Sequence, residues 1–155
     1  MELDADVEKF RMRFLQHVDP SSPDDSLCVL KGHLISEEIV SDYIRFKLSH
    51  PEHISFEGST WKYINKLELA ASLSSDQNHD KWVWSSLKKL NKIRNNMSHS
   101  LEPKNLSRDR DDFFKSVKPH LPERYKGVEL NMYSAVLFSV SGLFVVYQSE
   151  RSLLA

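Results

Sequence analysis

The sequence predicts an all-α protein, a helical bundle of about five to six helices in one domain spanning residues 1–155. Three observations carry that expectation. Only 4 Gly and 6 Pro punctuate the chain, and they fall between long runs, so turns are few and elements long. Within those runs apolar side chains return every three or four positions, the period of one helix face. Hydrophobic residues at 40% against 28% charged ones give a globular balance that can bury a core.

Residues 2–17 read as an amphipathic helix whose first turn carries acids, where the helix dipole favours them. The segment from Asp19 to Asp24 holds Pro20 and Pro23 and reads as a turn. A second helix is expected over 25–49. Leu27, Leu30, Leu34, Ser41, Ile44 and Leu48 recur along one stripe, and Ile35, Ile39, Tyr43 and Phe46 along another flank. A helix apolar on more than one side belongs in the middle of a bundle, and Pro51 stops it. Gly58-Ser59-Thr60 leads into a third helix over 60–74, with Trp61, Ile64, Leu67, Ala71 and Leu73 inward. After a polar loop at 74–78, a fourth helix runs from about 80 to 101, closed by Pro103. A short helix over 111–117 and a last one over 128–150 complete the set. From Asn131 to Ser149 no side chain is charged, a stretch close to membrane-span length. Its Ser, Asn, Gln and Gly residues make it a buried or subunit-interface helix in this reading, without membrane contact.

Lys+Arg number 21 and Asp+Glu 22, a net charge of −1, which argues against a broad basic surface for non-specific duplex binding. A local basic site remains open. The single cysteine, Cys28, rules out an internal disulfide framework, a CxxC pair and a cysteine-based zinc site. A reducing, cytoplasmic setting is the default expectation. The acidic opening MELDADVEKF lacks the basic and apolar regions of a signal peptide.

Chemistry concentrates in LNKIRNNMSHSLEP, Leu90–Pro103. The expected inward stripe is Val83, Leu87, Leu90, Arg94, Met97 and Leu101, so Arg94 stands where an apolar side chain belongs. A guanidinium is costly to desolvate without an anion. Glu37 occupies the matching place on helix two, between Leu34 and Ser41, and predicts a buried Arg94–Glu37 pair. That pair either fixes helix register only or orients Arg94 for an external phosphate. Asn95 and His99 share a helix face, while Arg94 and His99 point about 140° apart at roughly 100° per residue. One continuous helix cannot focus all three, but two copies of it can, so a site here implies a symmetric homodimer.

Such a set suits RNA cleavage without metal. A neutral imidazole takes the proton of a ribose 2′-OH and its protonated form returns one to the departing 5′-oxygen. A guanidinium holds the phosphate and stabilises charge growing on it. The Arg-x4-His spacing is unspecific by itself, since Arg45 and His50 match it too. Arg94 is set apart by its stripe position and by the asparagine that follows it.

Arg94-Asn95-Asn96-Met97-Ser98-His99 resembles the signature of the HEPN superfamily: Arg, a polar residue, three variable positions and His. The wider pattern is similar to a branch near the mannitol operon repressor family. It comprises LKGHLISEEIVSDYI (Leu30–Ile44), FEGSTWKYINKLELAASL (Phe56–Leu73) and LKKLNKIRNNMSHSL (Leu87–Leu101), nearly half the chain. The resemblance implies a metal-independent, cofactor-free endoribonuclease of a toxin–antitoxin, phage-defence or RNA-processing system, acting on RNA as a homodimer. It makes Arg94, Asn95 and His99 the catalytic residues and Glu37 a supporting acid, with a cognate antitoxin or regulatory protein as possible partner. It also offers the alternative of a non-catalytic, mannitol-repressor-like transcriptional regulator that works by protein–protein binding.

Lys88 and Lys92, with Lys81 and Lys89, form a candidate RNA-binding rim beside Trp82 and Trp84, which also fit core and solvated-face roles. His33 reads as a core histidine or a contact supporting the site. His50 and His53 lack the carboxylate spacing of a metal site, and no metal is expected there. Gly-rich phosphate loops, nucleophile elbows and HExxH are absent from the sequence.

Overall fold

The computed structural model describes residues 2–58, 60–75 and 80–154, with side chains from Ala5 onward. Six α-helices follow one another: α1 (Glu2–His17), α2 (Asp25–Lys47), α3 (Tyr63–Leu73), α4 (Lys81–His99), α5 (Leu106–Val117) and α6 (Met132–Leu154). Short 3₁₀ turns lie at Pro51–His53, Lys118–His120 and Glu123–Tyr125, and there is no strand among the described residues. The expected loop over 74–78 falls outside the described residues beyond Ser75, as does Ser59.

Helix α2 holds the centre, packing against α6, α3, α4 and α1. Asp24 caps it: the carboxylate accepts from the Ser26 amide at 2.9 Å and the Leu27 amide at 3.4 Å, satisfying donors that a helix start leaves open. Gly32 lets α6 approach closely, since a Cβ there would lie 2.1 Å from Val136 Cγ1. Phe14, Tyr43, Ile44, Leu67, Leu87, Leu90, Phe113 and Leu143 form the fully buried core. α6 is long and apolar enough to cross a membrane by length and composition. Here it packs against α1, α2, α4 and α5 and buries Ser139 and Glu150 among its apolar side chains.

Several inward assignments shift. The first half of the α2 stripe is uncovered, with Leu27 and Leu30 each 41% and Leu34 53% exposed; the buried face runs through Val29, Gly32, Ile39 and Val40 instead. α3 begins at Tyr63, after Trp61, and buries Tyr63, Lys66, Leu67 and Ala70. That spacing of three, four and seven is a regular helix face with a lysine in it. α4 ends at His99, so Leu101 lies past the helix and is fully exposed. α5 starts five residues earlier than expected, at Leu106 rather than 111. Its face of Leu106, Asp109, Phe113 and Val117 contains an acid, which hid the first turn from an apolar-period reading.

Candidate functional site

α2 and α4 run antiparallel, and their register decides which charges meet. His33 Nε2 lies 3.0 Å from Asn91 Oδ1, and one turn further along α4 Arg94 lines a cavity of about 150 Å³ with Ser26, Val29, Leu30, Met97 and Ser98. Arg94 thus faces the level of Leu30, and Glu37 sits two turns away, roughly 10 Å along the α2 axis at 1.5 Å per residue. The expected Arg94–Glu37 pair does not form. Glu37 accepts instead from Lys66 Nζ at 2.8 Å, and that buried ammonium also lies over the Phe56 ring, 5.0 Å from its centroid.

Among the described residues three charged side chains are buried on helix faces, and each has found its opposite. Lys66 meets Glu37; Asp109 meets Lys92 at 2.7 Å; Glu150 meets Lys47. These are the arrangements that make a buried charge tolerable. Arg94, half-buried, has no carboxylate partner among the described residues. Its Nη1 donates to Asn95 Oδ1 at 3.1 Å, while its Nε is enclosed and meets no acceptor among the described residues. The signal that singled out Arg94 was equally present for Lys66, Asp109 and Glu150, each on an apolar face of its own helix.

The rest of the motif is spread around α4. Asn95 is half-buried beside Arg94. Asn96 turns the other way, donating from Nδ2 to Asp109 Oδ2 at 2.7 Å. His99 is exposed on the last turn, and α4 stays helical through it, so a single chain leaves His99 and Arg94 on different sides. No hydrogen bond or ion pair joins His99 to Arg94 or Asn95 among the described residues. Of the two rim lysines, Lys88 reaches Glu68 at 3.4 Å and Lys92 is held by Asp109; neither is an unpaired cation.

His33 is a core residue. Its ring packs on Tyr63, centroids 4.1 Å apart. Burial above all, with Arg94 adding repulsion, holds its pKa below the usual histidine range against the opposing pull of Asn91 and Glu37. Beside Arg94 lie the uncovered Leu27, Leu30 and Leu34, an apolar stripe continuous with the Arg94 cavity through Leu30. Comparison of the chain with protein-family models, with curated proteins and with solved structures found no match in any of the three.

Proposed function

We propose that this chain is a metal-independent endoribonuclease of HEPN type that works as a homodimer. The observation that carries the reading is Arg94: a half-buried guanidinium, braced by Asn95, with an enclosed Nε and no acid opposite it among the described residues. Charge desolvated without a counter-ion inside the chain is suited to an anion from outside, and a phosphodiester is such an anion. Two copies meeting along Leu27, Leu30 and Leu34 cover that apolar stripe and bring one α4 end against the other, so that His99 of one protomer serves phosphate held by Arg94 of its partner.

In this arrangement neutral His99 removes the 2′-OH proton, and the 2′-oxygen attacks the adjacent phosphorus. The P–O5′ bond breaks, and a protonated imidazole delivers the proton to the leaving 5′-oxygen. The products are a 2′,3′-cyclic phosphate and a free 5′-hydroxyl. Arg94 stabilises the charge that builds on the non-bridging oxygens. DNA, lacking the nucleophile, is inert. The same uncovered leucines favour a second reading, a regulator that docks a protein partner there without cleaving RNA.

The test is incubation of purified protein with RNA in EDTA. Wild type is expected to cleave, and Arg94→Ala and His99→Ala to lose about 10²–10⁴-fold in rate. Undiminished cleavage by both variants refutes the assignment. A wild type that is inert on total RNA supports the regulator.

A further inference from the structure

A second basic feature lies at the opposite end of α4. The start of α4 and the end of α5 enclose a groove of about 430 Å³ whose walls include Lys81, Lys89, Lys115 and Ser85, with no carboxylate in its lining. None of the three lysines has an acidic partner among the described residues, and Lys89 is half-buried. At the groove's edge Trp82 and His120 are stacked, ring centroids 4.8 Å apart and 9° from parallel. Trp82 is wedged against Gly142, where a Cβ would come within 2.8 Å of the indole. The indole is therefore a fixed platform, and His120, exposed, extends it toward solvent.

Cations with no acidic partner among the described residues, beside a rigid aromatic stack, form the two-part surface that holds single strands: ammonium groups on phosphates and a π-face under a base. Duplex RNA offers no unstacked base to such a platform. The groove is also aligned with the proposed reaction centre. Trp82, Ser85, Lys89, Lys92, Asn96 and His99 share one face of α4 within about 100° of arc; α5 packs along it, with Asp109 holding Lys92 and Asn96, and its edge runs about 25 Å from the groove to His99 at 1.5 Å per residue.

We infer that the α4–α5 groove binds single-stranded RNA, with Lys81, Lys89 and Lys115 on its phosphates and the Trp82–His120 stack under a base, and that the strand continues along α4 toward His99. The inference rests on the nuclease reading for the destination of the strand, but not for the groove itself. Lys115 and His120 come from outside α4, so the helical pattern of that segment could not reveal them.

The experiment uses the full chain carrying His99→Ala, so that RNA survives, and a fluorescein-labelled 12-mer oligouridylate followed by anisotropy across a salt series. Lys89→Ala/Lys115→Ala is expected to weaken binding about tenfold, and to flatten the slope of log K against log salt by about 1.4, since each phosphate contact on a single strand contributes about 0.7. His120→Ala is expected to cost about fivefold through lost stacking. Circular dichroism verifies that these exposed or half-exposed changes leave the fold intact. In the wild-type background, 12-mer cleavage at low substrate should fall in Lys89→Ala/Lys115→Ala. Unchanged 12-mer affinity and salt slope in the double variant overturn the groove and leave the nuclease reading intact. A wild type that does not cleave the 12-mer, yet binds it through Lys89 and Lys115, refutes the nuclease reading and supports the groove. Displacement of the RNA by decaglutamate at equal concentration overturns the assignment to nucleic acid.

Discussion

Replacing Arg94 with leucine should stabilise the fold and abolish activity together. The enclosed, unpaired Nε is worth about 1–3 kcal/mol of lost hydration, which Arg94→Leu recovers. The variant forfeits the bond from Nη1 to Asn95 Oδ1, 3.1 Å in wild type and worth about 0.5–1.5 kcal/mol net. Packing is little changed, because leucine replaces the arginine stem against Val29, Leu30 and Met97. The balance is a gain of about 1 kcal/mol, or about 2–4 °C in Tm for a chain of this length. Urea unfolding followed by far-UV circular dichroism measures it, at protein concentrations low enough to keep the chain monomeric. Inorganic phosphate should raise the Tm of wild type more than that of Arg94→Leu, because a ligand of the native state shifts stability by mass action and the variant has lost one of the two anion sites. A variant destabilised by 1 kcal/mol or more would mean that the guanidinium already has a structural partner, and the anion site would be refuted.

Gly32→Ala sets a methyl 2.1 Å from Val136 Cγ1. Overpacking of about 1–3 kcal/mol outweighs a helix-propensity gain of up to about 1 kcal/mol, so Tm should fall, and fall less than additively with Val136→Ala; a rise would show that α2 and α6 have room to part. Glu150 is pushed toward the neutral acid by burial, but hydrogen bonds from Lys47, the Ser75 amide and Tyr43 outweigh this and hold its pKa below 4.5. A lowered folded pKa contributes stability that is fully present above 4.5 and disappears as pH falls through the folded value. Glu150→Gln should therefore lose about 3 kcal/mol at pH 7 and show a shallower acid limb below pH 4.5 than wild type in denaturant titrations; parallel limbs contradict this. Burial first, and Asp25 next, push the Cys28 thiol up to about 12 from 9.0. Iodoacetamide at pH 8 should thus modify native protein roughly three orders of magnitude more slowly than unfolded chain, as read by mass spectrometry, and equal rates would place Cys28 at the surface.

Helix identity was legible in the sequence because backbone hydrogen bonding within a helix is local, and the apolar period needs no partner to be seen. The centrality of α2 was visible for the same reason, in its two apolar flanks. The pairing of charges was not. Arg94 and Glu37 both stood at stripe positions, but so did Lys66 and Asp109, and the linear pattern cannot rank four charges against one another. The antiparallel register of α2 on α4, anchored where His33 meets Asn91, carries Glu37 past Arg94 to Lys66. Likewise the leucines of early α2 read as core, yet no helix among the described residues covers Leu27, Leu30 and Leu34.

The sequence by itself therefore determined an all-α chain, the extent of its longer helices to within a few residues, and an α4 that places a guanidinium where an apolar residue belongs. Tertiary structure alone decided that this guanidinium has no carboxylate opposite it among the described residues, that Lys88 and Lys92 are tied to acids, and that Lys89 and Lys115 line one groove. The physical reason is reach. Periodicity records which side of a helix a residue is on, whereas a charge's partner depends on the axial offset and rotation between helices, and those follow from the packing of the whole core.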